Sequence, residues 1–285
     1  ISSVSTTCSI SGLAITDDFI INPTPQLTSP EISVNDICLG DDAVVNINST
    51  GGLIDGNYTF TYDLTGANVA TGQNAGVVIT AGNGSFNIPA ALLTNTGATT
   101  VNITGIVNND TTCSNTFTDV SATFNVNPNP TIDDTTNLEI PEQDICLGED
   151  KDIDVTGTTL DDGNYTITYD LSNPVSTGNT ATLSITAGDG LFTIPAALIT
   201  NTGNVIVTIT GIVNDTTGCS TTGLNEQTNF NIINVPNASG AQISVSDVCL
   251  NDGDALVDVF DATGLPDGNY TINYDLSGAN TTTGE

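Results

Sequence analysis

Arg, His, Met and Trp are all missing from this 285-residue chain, and Lys151 is its only Lys. Opposite them stand 27 Asp and 6 Glu, so the formal net charge is −32 and almost no carboxylate can find a salt-bridge partner. Binding to nucleic acid needs Lys and Arg against phosphate and is excluded, as is attraction to an anionic membrane surface. Without His there is no Ser-His-Asp set and no His-activated Cys nucleophile. The chain also lacks CxxC pairs, which removes the usual zinc spacing, and Gly-rich phosphate loops. Paired carboxylates of the glycosidase kind would have to come from Asp residues that recur in turns of every copy of a repeat, so no enzyme is expected. No apolar run of transmembrane length or secretory leader pattern occurs. The chain starts at Ile1 and stops at Glu285 inside a repeat, and is read as a window in which any signal or anchor lies outside.

Hydrophobic residues make up 38% of the chain, enough to argue against disorder despite the charge. They are mostly Val, Ile, Leu and Ala among many Thr, Asn and Gly, a mixture that favours strands and turns.

The chain aligns on itself. Asp36-Ile37-Cys38-Leu39-Gly40-Asp41 recurs as Asp144-Ile145-Cys146-Leu147-Gly148-Glu149 and as Asp247-Val248-Cys249-Leu250-Asn251-Asp252. Asp-Gly-Asn-Tyr-Thr follows each time, from Asp55, Asp162 and Asp267. Ile-Pro-Ala-Ala-Leu occurs from Ile88 and from Ile194. Cys113 and Cys219 are the late cysteines of their copies, and Cys8 is the late cysteine of a preceding one. Early cysteines are 108 and then 103 positions apart, the period of a whole domain rather than a solenoid unit. Four segments follow: 1–28, the tail of one repeat; 29–128 and 129–236, complete repeats; and 237–285, the front of another. Pro-bearing stretches at Asn22-Pro23-Thr24-Pro25, Asn127-Pro128-Asn129-Pro130 and Val235-Pro236 mark the boundaries and stiffen them.

Within a copy the apolar period is two. Tyr58, Phe60, Tyr62 and Leu64 share one face, with Thr59, Thr61 and Asp63 on the other, and Val101-Asn102-Ile103-Thr104 and Val207-Thr208-Ile209-Thr210 alternate likewise. Such alternation predicts half-buried antiparallel strands. Asn83-Gly84 and Asp189-Gly190 predict tight hairpin turns, and Ala-Ala-Leu a short helical turn. About seven strands in about 105 residues predict an all-β chain of tandem immunoglobulin-like β-sandwiches, with one disulfide per domain.

Each complete copy has one early and one late Cys, which predicts Cys38–Cys113 and Cys146–Cys219 inside domains, Cys8 and Cys249 pairing outside the window, and no bridge between copies. Closing about 75 residues stabilises a domain by roughly 4 kcal/mol and implies an oxidising compartment. Tyr58, Tyr62, Tyr165, Tyr169, Tyr270 and Tyr274 share a face with Phe60, Ile167 and Ile272, so core packing is expected ahead of a sugar-stacking stripe. The acidic pairs Asp41 and Asp42, Glu149 and Asp150, and Asp252 and Asp254 are candidate Ca²⁺ ligands. None lies in an EF-hand pattern, and a solvated acidic surface is the plainer reading. No cofactor is required.

The Cys-Leu-Gly motif with its acids, the late Cys followed by a strand ending in Asn-Pro-Asn-Pro, and the domain-length period resemble the Ig-like or PKD-like repeats of giant Bacteroidota surface adhesins. These include gliding-motility adhesins exported by the type IX system. The resemblance covers the whole chain and implies structural cystines at Cys38, Cys113, Cys146, Cys219 and Cys249, with Tyr58 and Tyr165 standing where a Trp is usual. It also implies O-glycosylation after Asp, at Thr111, Thr135 and Thr216, against a plain turn role for the same residues. The expected function is an extracellular stalk segment of a large adhesin that presents a distal binding region for surface attachment or gliding. Its partners would be neighbouring repeats, surface glycans or other cell-surface proteins. The alternatives are a repeat that itself binds glycans and a filament subunit polymerising by strand exchange.

Overall fold

The computed structural model describes residues 17–132, 138–140, 144–250, 253–265 and 267–281. The chain forms two compact units. The first takes the described residues up to Thr131 together with Leu160–Thr166 and Gly211–Leu224, and the second takes the rest.

The first complete copy contributes β1 (Ile32–Val34), β2 (Ile37–Cys38), β3 (Ala43–Asn48), β4 (Gly56–Gly66), β5 (Ala70–Ile79), β6 (Asn83–Ile88), β7 (Gly97–Asn108) and β8 (Ser114–Asn127). They form a three-stranded sheet in the order β1-β3-β6 and a five-stranded sheet in the order β2-β8-β7-β4-β5. Eight segments appear where seven were expected because the first strand changes sheet. β1 runs antiparallel to β3, whereas β2 runs parallel to β8. Period-two patterning produces the core as predicted. Tyr58, Phe60, Tyr62 and Leu64 of β4 are buried, as are Ala43, Val45 and Ile47 of β3. The Phe86 ring of β6 lies 5.2 Å from that of Tyr62 and 6.0 Å from that of Phe60, joining the two sheets through one aromatic cluster.

The second copy repeats the plan with β9 (Leu138–Glu139), β10 (Asp144–Cys146), β11 (Lys151–Val155), β12 (Gly163–Ser172), β13 (Val175–Ile185), β14 (Gly190–Ile194), β15 (Gly203–Asn214) and β16 (Ser220–Ile233). The sheet orders are β14-β11-β9 and β10-β16-β15-β12-β13. Short 3₁₀ turns occupy Ala90–Leu92 and Ala196–Leu198, where a helical turn was expected. After them come β17 (Gln242–Val245) and β18 (Val257–Phe260), an antiparallel pair in which Ile243 faces Val259, as Ile32 of β1 faces Ile47 of β3.

The hairpin turns fall two residues earlier than the Asn-Gly and Asp-Gly pairs. Ala81 (φ 50°) and Gly82 (φ 80°) form the first, between Thr80 and Asn83; Ala187 (φ 54°) and Gly188 (φ 86°) form the second. Positive φ at both central residues is the type I′ geometry that matches strand twist. The Asp55 carboxylate accepts the Ala81 N–H at 2.7 Å, and the Gly82 carbonyl accepts the Ser49 N–H at 2.8 Å, so neighbouring loops hold the turn.

Candidate functional site

The cysteine pairing differs from expectation. Cys38 is bonded to Cys219, 181 positions away, with their Cα atoms 5.4 Å apart. Cys113, Cys146 and Cys249 carry free thiols, and Cys8 lies outside the described residues. The predicted Cys38–Cys113 and Cys146–Cys219 bonds are absent for a simple reason. Cys38 is the register partner of Asn127, the last residue of β8, whereas Cys113 immediately precedes Ser114, the first. Along the 14 residues of β8, a rise of roughly 3.3 Å each puts the two about 45 Å apart. A disulfide tolerates Cα separations of up to about 7 Å. Cys146 likewise pairs with Ile233, the last residue of β16, and Cys219 precedes Ser220, its first. One copy's two cysteines therefore sit at opposite ends of its sandwich, and the bond that forms joins one copy to the next.

Both cysteine environments are built locally and repeated. Around the late Cys, the Asn108 N–H donates to the Cys113 carbonyl (2.9 Å), the Thr112 N–H to the Asn108 carbonyl (2.8 Å) and the Cys113 N–H to Thr111 Oγ1 (3.4 Å). The counterparts are Asn214 to Cys219 (2.8 Å), Gly218 to Asn214 (2.8 Å) and Cys219 to Thr217 Oγ1 (3.3 Å). Thr112 and Gly218 take left-handed backbone, at φ 62° and 74°. Asn108 and Asn214 also accept two loop N–H groups each through Oδ1. These asparagines were not singled out from sequence; the signal was an Asn at the strand end five residues before each late Cys. Around the early Cys, the Leu39 N–H donates to the Asn127 carbonyl at 2.8 Å and the Leu147 N–H to the Ile233 carbonyl at 2.9 Å.

The candidate calcium ligands serve as turn acceptors. Asp42 Oδ1 accepts the Ala90 N–H at 2.7 Å, and Asp150 Oδ1 accepts the Ala196 N–H at 2.7 Å, each holding the start of a 3₁₀ turn. Glu149 Oε2 accepts the Cys146 N–H at 3.2 Å. Asp41 and Asp254 are exposed, and Asp252 lies outside the described residues. Among the described residues no three Cys, Asp or Glu side chains gather as a metal site.

Of the glycosylation candidates, Thr111 is half-buried in the late-Cys loop, Thr216 is exposed, and Thr135 lies outside the described residues. The two described threonines are not counterparts. By its hydrogen bonds Thr111 corresponds to Thr217, so the shared Asp-Thr-Thr string occupies different places in the two loops.

Tyr58, Tyr62, Tyr165 and Tyr169 are buried core. Burial pushes the phenols of Tyr62 and Tyr169 above their ordinary range. The Tyr58 hydroxyl donates to the Ile54 carbonyl at 2.8 Å and that of Tyr165 to the Asp161 carbonyl at 2.9 Å. Tyr270 and Tyr274 are exposed, at 41% and 53%, and so depart from the core packing expected of all six tyrosines.

No protein-family model matches the sequence, and no curated protein does. Among solved structures, the chicken CNTN1 FN1–FN3 domains share 7% identity over 74% of this chain, with a TM-score of 0.42. The chain spans 65% of that structure. FdeC, an Escherichia coli adhesin, shares 16% identity over 80% of this chain and 71% of its own (TM-score 0.34). The Clostridium thermocellum CbhA fibronectin(III)-like modules share 14% over 72% and 90% (TM-score 0.31). At these scores the likenesses carry no functional argument. The strand orders give the fold class: this is an all-β chain of tandem immunoglobulin- and fibronectin-III-like sandwich repeats.

Proposed function

We propose that the chain is a load-bearing stalk segment of a large extracellular adhesin, holding a distal binding region away from the cell. The Bacteroidota gliding-adhesin type, exported by the type IX system, is the reading of its motifs. The observation that carries it is the Cys38–Cys219 bond, which joins successive copies covalently. A module evolved to bind a ligand copy by copy has no need of such a bond; a tether under tension does. Beyond those that hold turns, the acidic residues act here as solvated surface charge that keeps the repeats soluble, and no cation is required.

Single-molecule stretching tests the reading. Pulled from its ends while oxidised, the chain cannot extend between Cys38 and Cys219. Reduction should add about 600 Å of extension, 181 positions at roughly 3.3–3.6 Å each. Equal extension before and after reduction would remove the mechanical role. Specific retention on a glycan array by the whole chain would favour the glycan-binding alternative instead.

A further inference from the structure

We infer that the bond between Cys38 and Cys219 is one link of a regular series in which the early Cys of each copy is joined to the late Cys of the next. Cys113 and Cys146 are then the two half-links of this series that face neighbouring copies. The partner of Cys113 is the early cysteine of the preceding copy, and the partner of Cys146 is the late cysteine of the following one. This goes beyond the stalk reading and rests only on the repeat and the observed bond.

Cys113 and Cys146 are not isolated thiols, because their counterparts are bonded in the same molecule. Cys146 holds the same register against β16 that Cys38 holds against β8: Ile145 and Cys146 face Ile232 and Ile233, as Ile37 and Cys38 face Val126 and Asn127. Cys113 ends a loop with the same hydrogen bonds as that of Cys219. An independent contact fixes what Cys113 faces. Its thiol donates to the Asn22 carbonyl at 3.9 Å, and Asn22 opens the Asn-Pro-Thr-Pro stretch whose counterpart opens at Asn127. Asn127 is the residue beside which Cys38 lies. An early cysteine placed beside Asn22 as Cys38 is placed beside Asn127 would meet the Cys113 sulfur. The same rule puts Cys8 among late cysteines and Cys249 among early ones, so all six obey one scheme.

Each link forms when two thiols lose two protons and two electrons. The acceptor is the disulfide of a dithiol oxidoreductase, which leaves as a reduced dithiol after two exchange steps.

The test is disulfide mapping of the intact polypeptide, isolated from its source without reductant, alkylated and cleaved at Asp. The expected result is Cys38–Cys219, Cys113 bonded to an early cysteine of the preceding copy, Cys146 bonded to a late cysteine of the following copy, and a single-chain mass before reduction. Recovery of Cys113 or Cys146 in alkylated form would overturn the series. So would a bond within one copy, a bond between two early or two late cysteines, or a mass of several chains. Because the stretching result depends on Cys38–Cys219 alone, it can succeed while this series fails.

Discussion

Glu31 is 8% exposed, and both of its carboxylate oxygens are occupied. Oε2 accepts the Thr28 N–H (2.8 Å) and hydroxyl (2.9 Å), while Oε1 accepts the N–H and hydroxyl (2.7 Å) of Thr50. Burial alone would push this acid up, but the bonds from Thr50 and Thr28 outweigh it and hold it below its ordinary value of 4.5. A depressed folded value means that the stabilisation is complete above the unfolded value and disappears as pH falls through the folded one. Glu31→Gln should therefore cost about 1.5–3 kcal/mol at pH 7, the worth of hydrogen bonds to a charged group. The gap from wild type should narrow as the pH is taken well below 4.5. Urea unfolding at both ends of that range measures it, and a gap independent of pH would refute the account. Exposed Asp110 is also held low, by the Asn57 N–H and side-chain amide.

At the scale of the element, the β5–β6 hairpin separates two roles that glycine can play. Ala81 takes left-handed backbone, where an L residue is strained by about 1–2 kcal/mol. Ala81→Gly relieves that at the cost of some chain entropy, for a net gain of about 0.5–1 kcal/mol. Gly82 needs its freedom and its space, since an added Cβ would lie 2.5 Å from the Ser49 carbonyl oxygen. Gly82→Ala should thus destabilise by about 1–3 kcal/mol. Thermal melts of the pair should move in opposite directions, and movement in the same direction would discredit this turn geometry. Gly84 shows why the turn was misplaced by two residues when read from sequence. It is glycine for packing, because a Cβ there would come within 2.8 Å of Ile79 Cδ1 and Val77 Cγ1, yet Asn-Gly is also the strongest short hairpin signal. Period-two patterning placed β4, β7 and the four buried tyrosines correctly, because burial alternates with the pleat wherever a second sheet covers one face; the same pattern at Tyr270, Ile272 and Tyr274 is exposed. Cysteine pairing was not legible. Self-alignment shows that two cysteines recur in each copy, but not that they lie at opposite ends of a 14-residue strand.

On the scale of the whole molecule, charge is the dominant unbalanced quantity. Lys151 is the lone basic side chain against 33 acids, and it is only 4% exposed, with its ammonium 6.0 Å from the centre of the Phe230 ring. Self-repulsion of this kind opposes the compact state. Raising ionic strength from about 0.01 M to 0.15 M shortens the screening length from about 30 Å to 8 Å. The melting temperature should therefore climb with NaCl, and a melting temperature insensitive to salt would show that the carboxylates are spaced widely enough not to matter. EDTA at constant ionic strength should leave it unchanged, since Asp42 and Asp150 already serve backbone N–H groups. A drop on chelation would restore calcium as a ligand.

The bond between Cys38 and Cys219 also decides what happens when the backbone is severed. Glu139 is exposed and lies between the two bonded cysteines. A cut after Glu139 by a glutamate-specific protease leaves two fragments that the sulfur bridge still ties together. On a denaturing gel, protein cut only between the bonded cysteines, after exposed Glu139 or Glu149, should run at full size without reductant and as fragments with it. Separation, without reductant, of the pieces on either side of Glu139 would mean that the bridge is absent from the protein in solution. A chain built this way tolerates a single proteolytic wound between Cys38 and Cys219: the enzyme can open the backbone without detaching what lies on either side.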